Sequence, residues 1–537
     1  MMGQQQDQPK LFYYGEAVNL QKRVRRENPL RAVKAGVDFS FVRPLVARHY
    51  GQNGNELRRG VVAAPPWVDP EVILKMMFLL FYDDIASERE LMQIIAERLD
   101  YQWFLGYGLD APVPDHSVLS KARRRWGPRV FERLFVRTVQ QAVARGLVEG
   151  RKIHMDSSLV DADASKDSVR KGSPKLIAVL KRLYQKQEEK LDERAEILAA
   201  EAPTGEPGGA GGAPQRATES AAETDEGQPE KGRRYERVNE GLMSTTDPDA
   251  PVVRKGRGEA RPRYKSHRSV DDAHGVITAV KSTPGDVDEG REWVGLLEQH
   301  ERHTQKKVGA VVGDSKYGTT ENFLACAHRG VRSHMADLSA TQKDTGRRKD
   351  IYAESDFAYD PKTDTYRCAA GQTLKRRRHK IQRQAYEYTA GPKLCQACPK
   401  RAQCTRSPSG RSIKRHEDHE ALQAARAESK SREARRDRRR RRYLMEGSFA
   451  DAANNHHFKR ARWRGLAKQQ IQDLLIAAIQ NIRILLQHTR RSTQGIHAGI
   501  KVGLGSLPSF VLPLYGVLTC WASRFRPRRA CFGRFGP

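Results

Sequence analysis

Between Tyr264 and Met335 the chain alternates strand-like and helix-like stretches, and this restricts the fold more than any other feature. YKSHRSVDD and GVITAVKST read as two strands joined by the turn Asp272-Ala273-His274-Gly275. REWVGLLEQH follows as a helix, and VGAVVGD reads as a buried strand ending at Asp314. A helix over 319–329 and a short strand near Val331 to Met335 complete the series. A hairpin followed by alternating helices and strands predicts an α/β sheet.

A further strand lies upstream, in the stretch Gly150 to Ser165. Ile153 and Met155 alternate with polar residues, and Asp156 stands at the expected strand end, followed by Ser157 and Ser158. A strand ending in an acid holds a metal-binding oxygen rigidly over a sheet. A lone acid there serves equally well as a turn cap. Asp314, between GAVVG and SKYG, ends a second strand, and acids at the ends of adjacent strands face one cleft. Glu446 follows the run Arg438 to Arg442 and precedes Phe449, at the expected start of the C-terminal helical region. A helix crossing the sheet can present it to the two aspartates. Three such carboxylates repel by about 4 kcal/mol per pair at about 4 Å, so the group is stable mainly with Mg²⁺ or Mn²⁺. Two such ions activate a water or a 3′-hydroxyl and stabilise the leaving oxygen. Periodicity does not single out these acids, since Asp161, Asp163, Asp271, Asp272, Glu321 and Asp451 compete. His154 reads as a strand residue.

The rest of the chain divides around this core, because 537 residues exceed one ordinary domain. Residues 1–146 read as a helical N-terminal domain. A short turn holds Phe41, Val42, Leu45 and Val46; Pro70 opens VILKMMFLLFY; Ser87 and Glu90 form a capping box. Leu91, Ile94, Ile95 and Leu99 give the next helix one apolar face. PVPDHS opens a basic helix, capped by Asp115 or Ser117, with Lys121, Arg123, Arg124 and Arg125 opposite Val118, Leu119 and Trp126. It suits a DNA groove or a solvated face. A last helix buries Phe131, Leu134, Phe135 and Val139 and ends at Gly146.

Residues 150–338 hold the first part of the core, with a charged helix over 171–200 and a Gly, Pro, Ala, Glu and Thr-rich insert over 202–233 expected to be disordered. Residues 339–440 are rich in Cys and Arg. There Cys368, Cys395, Cys398 and Cys404 suit a tetrahedral Zn²⁺ or remain reduced thiols, with His379 or His416 as substitute ligands. Residues 441–490 carry Glu446 and the amphipathic LAKQQIQDLLIAAIQNIRILLQ, which should pack on the sheet. Trp463 reads as packing. Residues 491–537 form a tail; its uncharged stretch Val502 to Ser523 is broken by Pro508 and Pro513, so no membrane insertion is expected.

The net charge of +31, from 96 Lys and Arg against 65 Asp and Glu, favours a polyanionic partner such as nucleic acid. Membrane surfaces and ribosomes attract the same charge. The seven cysteines do not suggest a secreted disulfide framework, and MMGQQQDQPK lacks a hydrophobic signal core.

Several stretches carry a resemblance: LFYYGEAVNL, VDPEVILKMMFLLFYDDIASERELMQ, YQWFLGYGLDAPVPDHS, HMDSSLVDADASKDSV, MSTTDPDAPVVRKG, YKSHRSVDDAHGVITAVKSTPGDVDE, VVGDSKYGTTEN and MEGSFADAANNHHFKRARWRGLAKQQIQ. They run in order from about residue 11 to 487. The chain resembles the DDE transposases of bacterial insertion sequences, in the IS-five-like assemblage and nearest the group numbered eleven-eighty-two. The resemblance implies a ribonuclease-H-like core, an N-terminal helical region contacting DNA, and catalytic acids at Asp156, Asp314 and Glu446 holding Mg²⁺ or Mn²⁺. Many relatives have lysine seven residues after the glutamate; here Ala453 stands there, and Lys459 or Arg460 can take the basic role.

The implied activity is cutting at element ends and joining of the freed 3′-hydroxyl to target DNA. The implied partner is double-stranded DNA, bound by a homodimer in the bacterial cytoplasm at the nucleoid, with no membrane. DNA contacts are expected from Lys121, Arg123, Arg124, Arg125, Arg439, Arg442, Lys459 and Arg460, which hold phosphates without reading sequence. Two alternatives remain. One is a catalytically impaired remnant that only binds DNA, motivated by Ala453 and the tail. The other is a ribonuclease-H-type nuclease that cuts without joining.

Overall fold

The structure is a computed structural model that describes, in the main, residues 19–50, 68–172, 242–338 and 351–504, with side chains up to residue 489. The chain divides into two units, Met1–Leu486 and Gln487–Pro537; the second contributes the end of the last helix. Most of the expected charged helix over 171–200, and all of the insert over 202–233 and of the tail beyond Leu504, lie outside the described residues.

Local signals start the N-terminal helices. Helix α1 (Pro29–Gly36) begins where the Asn28 side chain accepts the N–H of Leu30, and α2 spans Val42–Val46. In α3 (Pro70–Tyr82) Pro70 takes the first turn and Asp69 accepts the N–H of Glu71. Ser87 accepts the N–H of Glu90 at the head of α4 (Glu88–Glu97), while the Glu90 carboxylate takes the N–H of Ala86. That helix stops before Leu99, because Arg98 is extended; Leu99 opens α5 (Leu99–Leu105) and is 37% exposed. Helix α6 (Ser117–Trp126) starts after His116, with Asp115 accepting the N–H of Ser117, and α7 spans Pro128–Ala144.

The expected α/β sheet is present. Its strands are β1 (Lys152–Asp161), β2 (Val252–Arg254), β3 (Ala260–Asp271), β4 (Ile277–Pro284), β5 (Ala310–Val312) and β6 (Arg332–Ser333). The order is β6-β5-β1-β3-β2, with β4 also paired to β3. Pairings β1–β3 and β3–β4 are antiparallel; β1–β5 and β5–β6 are parallel. The hairpin turns at Gly275, whose φ of 74° suits glycine. Helices α8 (Trp293–Thr304) and α9 (Thr320–His328) follow β4 and β5.

Alternation along β1 sends its residues to two different cores. Ile153 and Met155 join Trp293, Leu296, Val311 and Phe323. Val160 joins the opposite core, which also takes Tyr264, Val270, Ile277 and Val280. That second core is continuous from Leu20 to Ile482, so the N-terminal helices share their interior with the sheet and with the C-terminal helices.

A second, antiparallel sheet runs β7 (Ala358–Asp360), β8 (Thr365–Arg367), β9 (Thr373–Lys380), β10 (Ala385–Thr389) and β11 (Ser412–His416), in that spatial order. Helicity returns at α10 (His419–Ser429), inside the expected Cys- and Arg-rich stretch, and Leu422 there packs in the main sheet's core. Helix α11 spans Arg432–Asn455, and α12 spans Leu466–Leu504. Glu446 therefore lies well inside a helix rather than near its start. The reason is local: Ser431 caps the helix through Ala434, and the arginines that follow are good helix formers.

Candidate active site

Asp156 is not at the end of its strand, as expected, but in its middle. Strand β1 pairs with β3 from Ile153 to Asp161, whereas β5 accompanies it only from Lys152 to His154. Since His154 lies opposite Val312, the same register puts Asp156 opposite Asp314, just past the end of β5. Both then point to one face. One carboxylate oxygen each from Asp156, Asp314 and Glu289 lie within 4.8 Å of one another.

Glu289 was not expected. It opens the 3-10 turn Glu289–Glu292 after β4, with Asp288 accepting the N–H of Gly290. The amide of Asn322 donates to the carbonyls of both Gly290 and Tyr317, tying this turn to the loop behind Asp314. The approach needs glycine: a Cβ on Gly290 would lie 2.9 Å from the Lys316 carbonyl.

Cations partner these acids. Arg441 bonds Asp156 Oδ2 at 2.6 Å, and the N–H of Ser157 bonds Oδ1 at 2.8 Å. Lys316 donates its backbone N–H to Asp314 at 2.9 Å and its ammonium to Glu289 at 2.7 Å; Lys265 stands 3.7 Å from Glu289. Burial raises the Asp156 pKa above the usual carboxylate range, with Asp314 adding to the rise and Arg441 opposing it. Against burial, which disfavours its charge, Glu289 together with Asp314 and Asp156 raises the pKa of Lys316.

Helix α11 packs along the same face of β1. Lys152 reaches Asp437 at 2.7 Å, His154 meets Asp272, which also takes Arg440, and Asp156 takes Arg441. The buried His334 bonds Asp437 at 2.8 Å and Glu428 at 3.0 Å, fixing the start of the helix. Arg268, opposite Asp156 on β3 and fully buried, holds Ser448 of α11 and Gln480 of α12. The arginine run is thus divided: Arg441 and Arg440 bond the acids Asp156 and Asp272, Arg438 bonds the Ser429 carbonyl, and Arg439 and Arg442 lie exposed on the outer side. Glu446 is exposed, five residues beyond Arg441, and lies outside the 4.8 Å carboxylate cluster.

Other expected site residues fall as follows. Lys459 donates to Ser158, two residues past Asp156 on the same face, at 2.6 Å. The backbone of Lys459 and Ala461 pairs with Asp161, which keeps this segment beside β1. Arg460 is exposed and 3.7 Å from Asp163. Ala453 is half-buried in α11. Arg124 and Arg125 are exposed on α6 and Lys121 is half-buried.

Arg123, expected to contact DNA, instead is 5% exposed, ion-paired with Glu88 and stacked 3.9 Å over Trp463. It serves packing, because it shares the helix face of Leu119 and Trp126. The competing acids have partners of their own: Asp161 pairs with Arg263, Asp163 with Arg464, Asp451 with Gln480, and Asp271 caps backbone N–H groups of Gly150 and Ala273. His154 and Arg440 hold the Asp272 carboxyl down at about 2.

The cysteines of the second sheet form a separate group. Cys368, Cys395, Cys398 and Cys404 are all free, half-buried, and line one cavity. Burial pushes the Cys404 thiol up, and the other three add to the shift.

Two family models match this chain, a Transposase DDE domain over residues 367–486 and a Transposase domain (DUF772) over residues 18–125. The first covers the last three strands of the Cys-rich sheet with its four cysteines and the helix of Glu446; the second covers the helices up to α6. Each match covers well under half of the chain; together they make it similar to DDE transposases and support a nucleic-acid-processing enzyme. No curated protein and no solved structure matches the chain. Among the described residues, no helix is long and apolar enough to cross a membrane.

Proposed function

We propose that the chain is a transposase of the insertion-sequence kind, similar to the eleven-eighty-two group, that cuts element ends and transfers the freed 3′-hydroxyl to target DNA. The observation that carries this reading is the meeting of Asp156 and Asp314 from adjacent parallel strands in one carboxylate cluster. The proposed ribonuclease-H-like core is supported by the order β4-β3-β1-β5-β6, antiparallel on one side of β1 and parallel on the other.

The donor set fits a hard divalent ion, Mg²⁺ or Mn²⁺, because it consists of carboxylate oxygens, one from the middle of β1, one just past β5 and one from the turn after β4. When bound, such ions supply an activated water or 3′-hydroxyl and stabilise the leaving oxygen. The chain's part is to hold and orient. Ser157 and Lys316 fix one oxygen each of Asp156 and Asp314 through backbone N–H groups. Lys459, beside Ser158, takes the basic role that the family gives to the position of Ala453. Arg439, Arg442 and Arg460, with Lys121, Arg124 and Arg125 on α6, contact phosphates. Joining two ends calls for a homodimer on DNA.

The third acid has two readings. The resemblance assigns Glu446, which then has to approach while Arg441 leaves Asp156. Position favours Glu289, already inside the cluster. Mg²⁺-dependent nicking and joining of DNA carrying the ends of its own element tests both. Asp156→Ala and Asp314→Ala are expected to abolish both steps. Whichever of Glu446→Gln and Glu289→Gln abolishes them identifies the third ligand. Binding without cutting by the unaltered protein would establish the remnant reading instead; cutting without joining would establish a nuclease.

A further inference from the structure

The Cys-rich sheet has little interior to hold it. Its core cluster is Phe357, Tyr366, Leu374, Tyr388, Ala390 and Ile413, six side chains for five strands. Modules with so small a core are commonly stapled by a disulfide or a metal.

The four cysteines line one cavity from separate pieces of chain. Cys368 lies just after β8, in a tight turn where its carbonyl accepts the N–H of Gly371 at 2.8 Å. Cys395 sits in the short helix Pro392–Gln396, Cys398 just beyond it, and Cys404 ends the helix Arg401–Cys404. All four face one cavity with Phe357, Leu374, Arg401 and Arg411. The backbone before β11 presses on this group: a Cβ on Gly410 would lie 2.8 Å from Cys395 Sγ.

We infer that Cys368, Cys395, Cys398 and Cys404 bind one structural Zn²⁺ in a closed tetrahedral site that staples the second sheet. Four cysteines with a C-x-x-C pair are the donor set of such sites. The surrounding charge agrees. A zinc tetrathiolate carries a net charge of about −2, and two arginines line the cavity. Arg411 donates from its two Nη atoms to the carbonyls of Cys404 and Tyr352, yet its Nε–H is buried with no hydrogen-bond partner. A thiolate sulfur supplies the acceptor that a neutral thiol supplies only weakly. Binding releases one proton from each thiol and changes no oxidation state. With all four positions filled by sulfur, no water binds the ion, so the site is structural and separate from the carboxylate cluster.

Full-length protein, purified without added metal, is expected to carry about one zinc per chain, measured by plasma mass spectrometry. Cys395→Ser and Cys398→Ser are expected to lose it, and Cys326→Ser, in helix α9, to keep it. Because a serine variant can fail to fold, the unaltered protein carries two more readings. Its four thiols should resist a thiol reagent until a strong chelator is added, and cobalt exchange should give the visible bands of a tetrahedral thiolate complex. Zinc-free protein whose four thiols react at once, a disulfide among them in non-reducing peptide maps, or cobalt bands of an oxygen-ligated site would each overturn the inference. None of these readings involves DNA cleavage, so they stand apart from the reading of the carboxylate cluster.

Discussion

The two sheets of this protein solve the same problem by different means. The main sheet is covered on both faces, by one core around Trp293 and by another that runs from Leu20 to Ile482. It can therefore carry a costly group of acids at its centre, because burial elsewhere holds the strands in place. The second sheet has a core cluster of six side chains and a cavity lined by four thiols. There the polar ligands are what bind the strands together. In the first sheet function draws on stability; in the second, ligand chemistry supplies it.

The largest expected effect tests the first half of that contrast. Asp314→Ala should lower DNA cleavage on the order of a thousandfold, about 4 kcal/mol of barrier, while thermal unfolding followed by circular dichroism stays near that of the unaltered chain. A collapse of the fold instead would mean that the acids are structural.

Acid should separate the two sheets. Burial depresses the pKa of His267 to about 3 and of His300 to about 4, and both sit in the main sheet's layers. A folded-state value below the unfolded one means that stability is full above about pH 6.5 and is lost as pH falls toward 4. The expected loss is on the order of 2–4 kcal/mol per histidine. Denaturant titrations across that range measure it, and His300→Gln should flatten the curve. Hydrogen exchange should show the main sheet loosening first. Equal loosening of the second sheet, whose thiolates would also take up protons, would weaken the contrast.

A smaller effect concerns Arg441, which occupies Asp156 Oδ2. Arg441→Gln is expected to tighten Mn²⁺ binding several-fold, by removing a competing cation, as read by titration calorimetry; unchanged affinity would place the ion elsewhere. The smallest effect concerns the outer face of α11. Each of Arg439→Ala and Arg442→Ala should reduce the slope of log binding constant against log salt by about 0.9, without altering the folded state.

What was legible in the sequence was local. The caps at Asp69 and Ser87, the turn at Gly275 and the two strands bearing Asp156 and Asp314 rest on spacing within a few residues. The sequence puts Asp156 at a strand end because Ser157 and Ser158 break the alternation there, whereas β1 continues to Asp161 alongside β3 after β5 stops. Glu289 was out of reach: its place depends on Asn322 drawing a 3-10 turn onto a loop some thirty residues away. By composition the arginine run reads as one charged block, and its division depends on the helix that starts at Arg432. With that start, the helical period separates Arg441 from Arg442. Arg123 stands at helical spacing from Leu119 and Trp126, the local mark of its buried face, while its partners Glu88 and Trp463 are remote in sequence.

The core shared by the first and last helices sets an order of events at synthesis. Phe78, Phe104 and Phe131 emerge early, yet Leu475 and Ile482, which line the same interior, are among the last core residues made. Translation at about 5–20 residues per second leaves that apolar surface uncovered for tens of seconds. A ribosome that stalls late on this message therefore holds a sticky, half-finished globule, and chaperone demand should be greatest then.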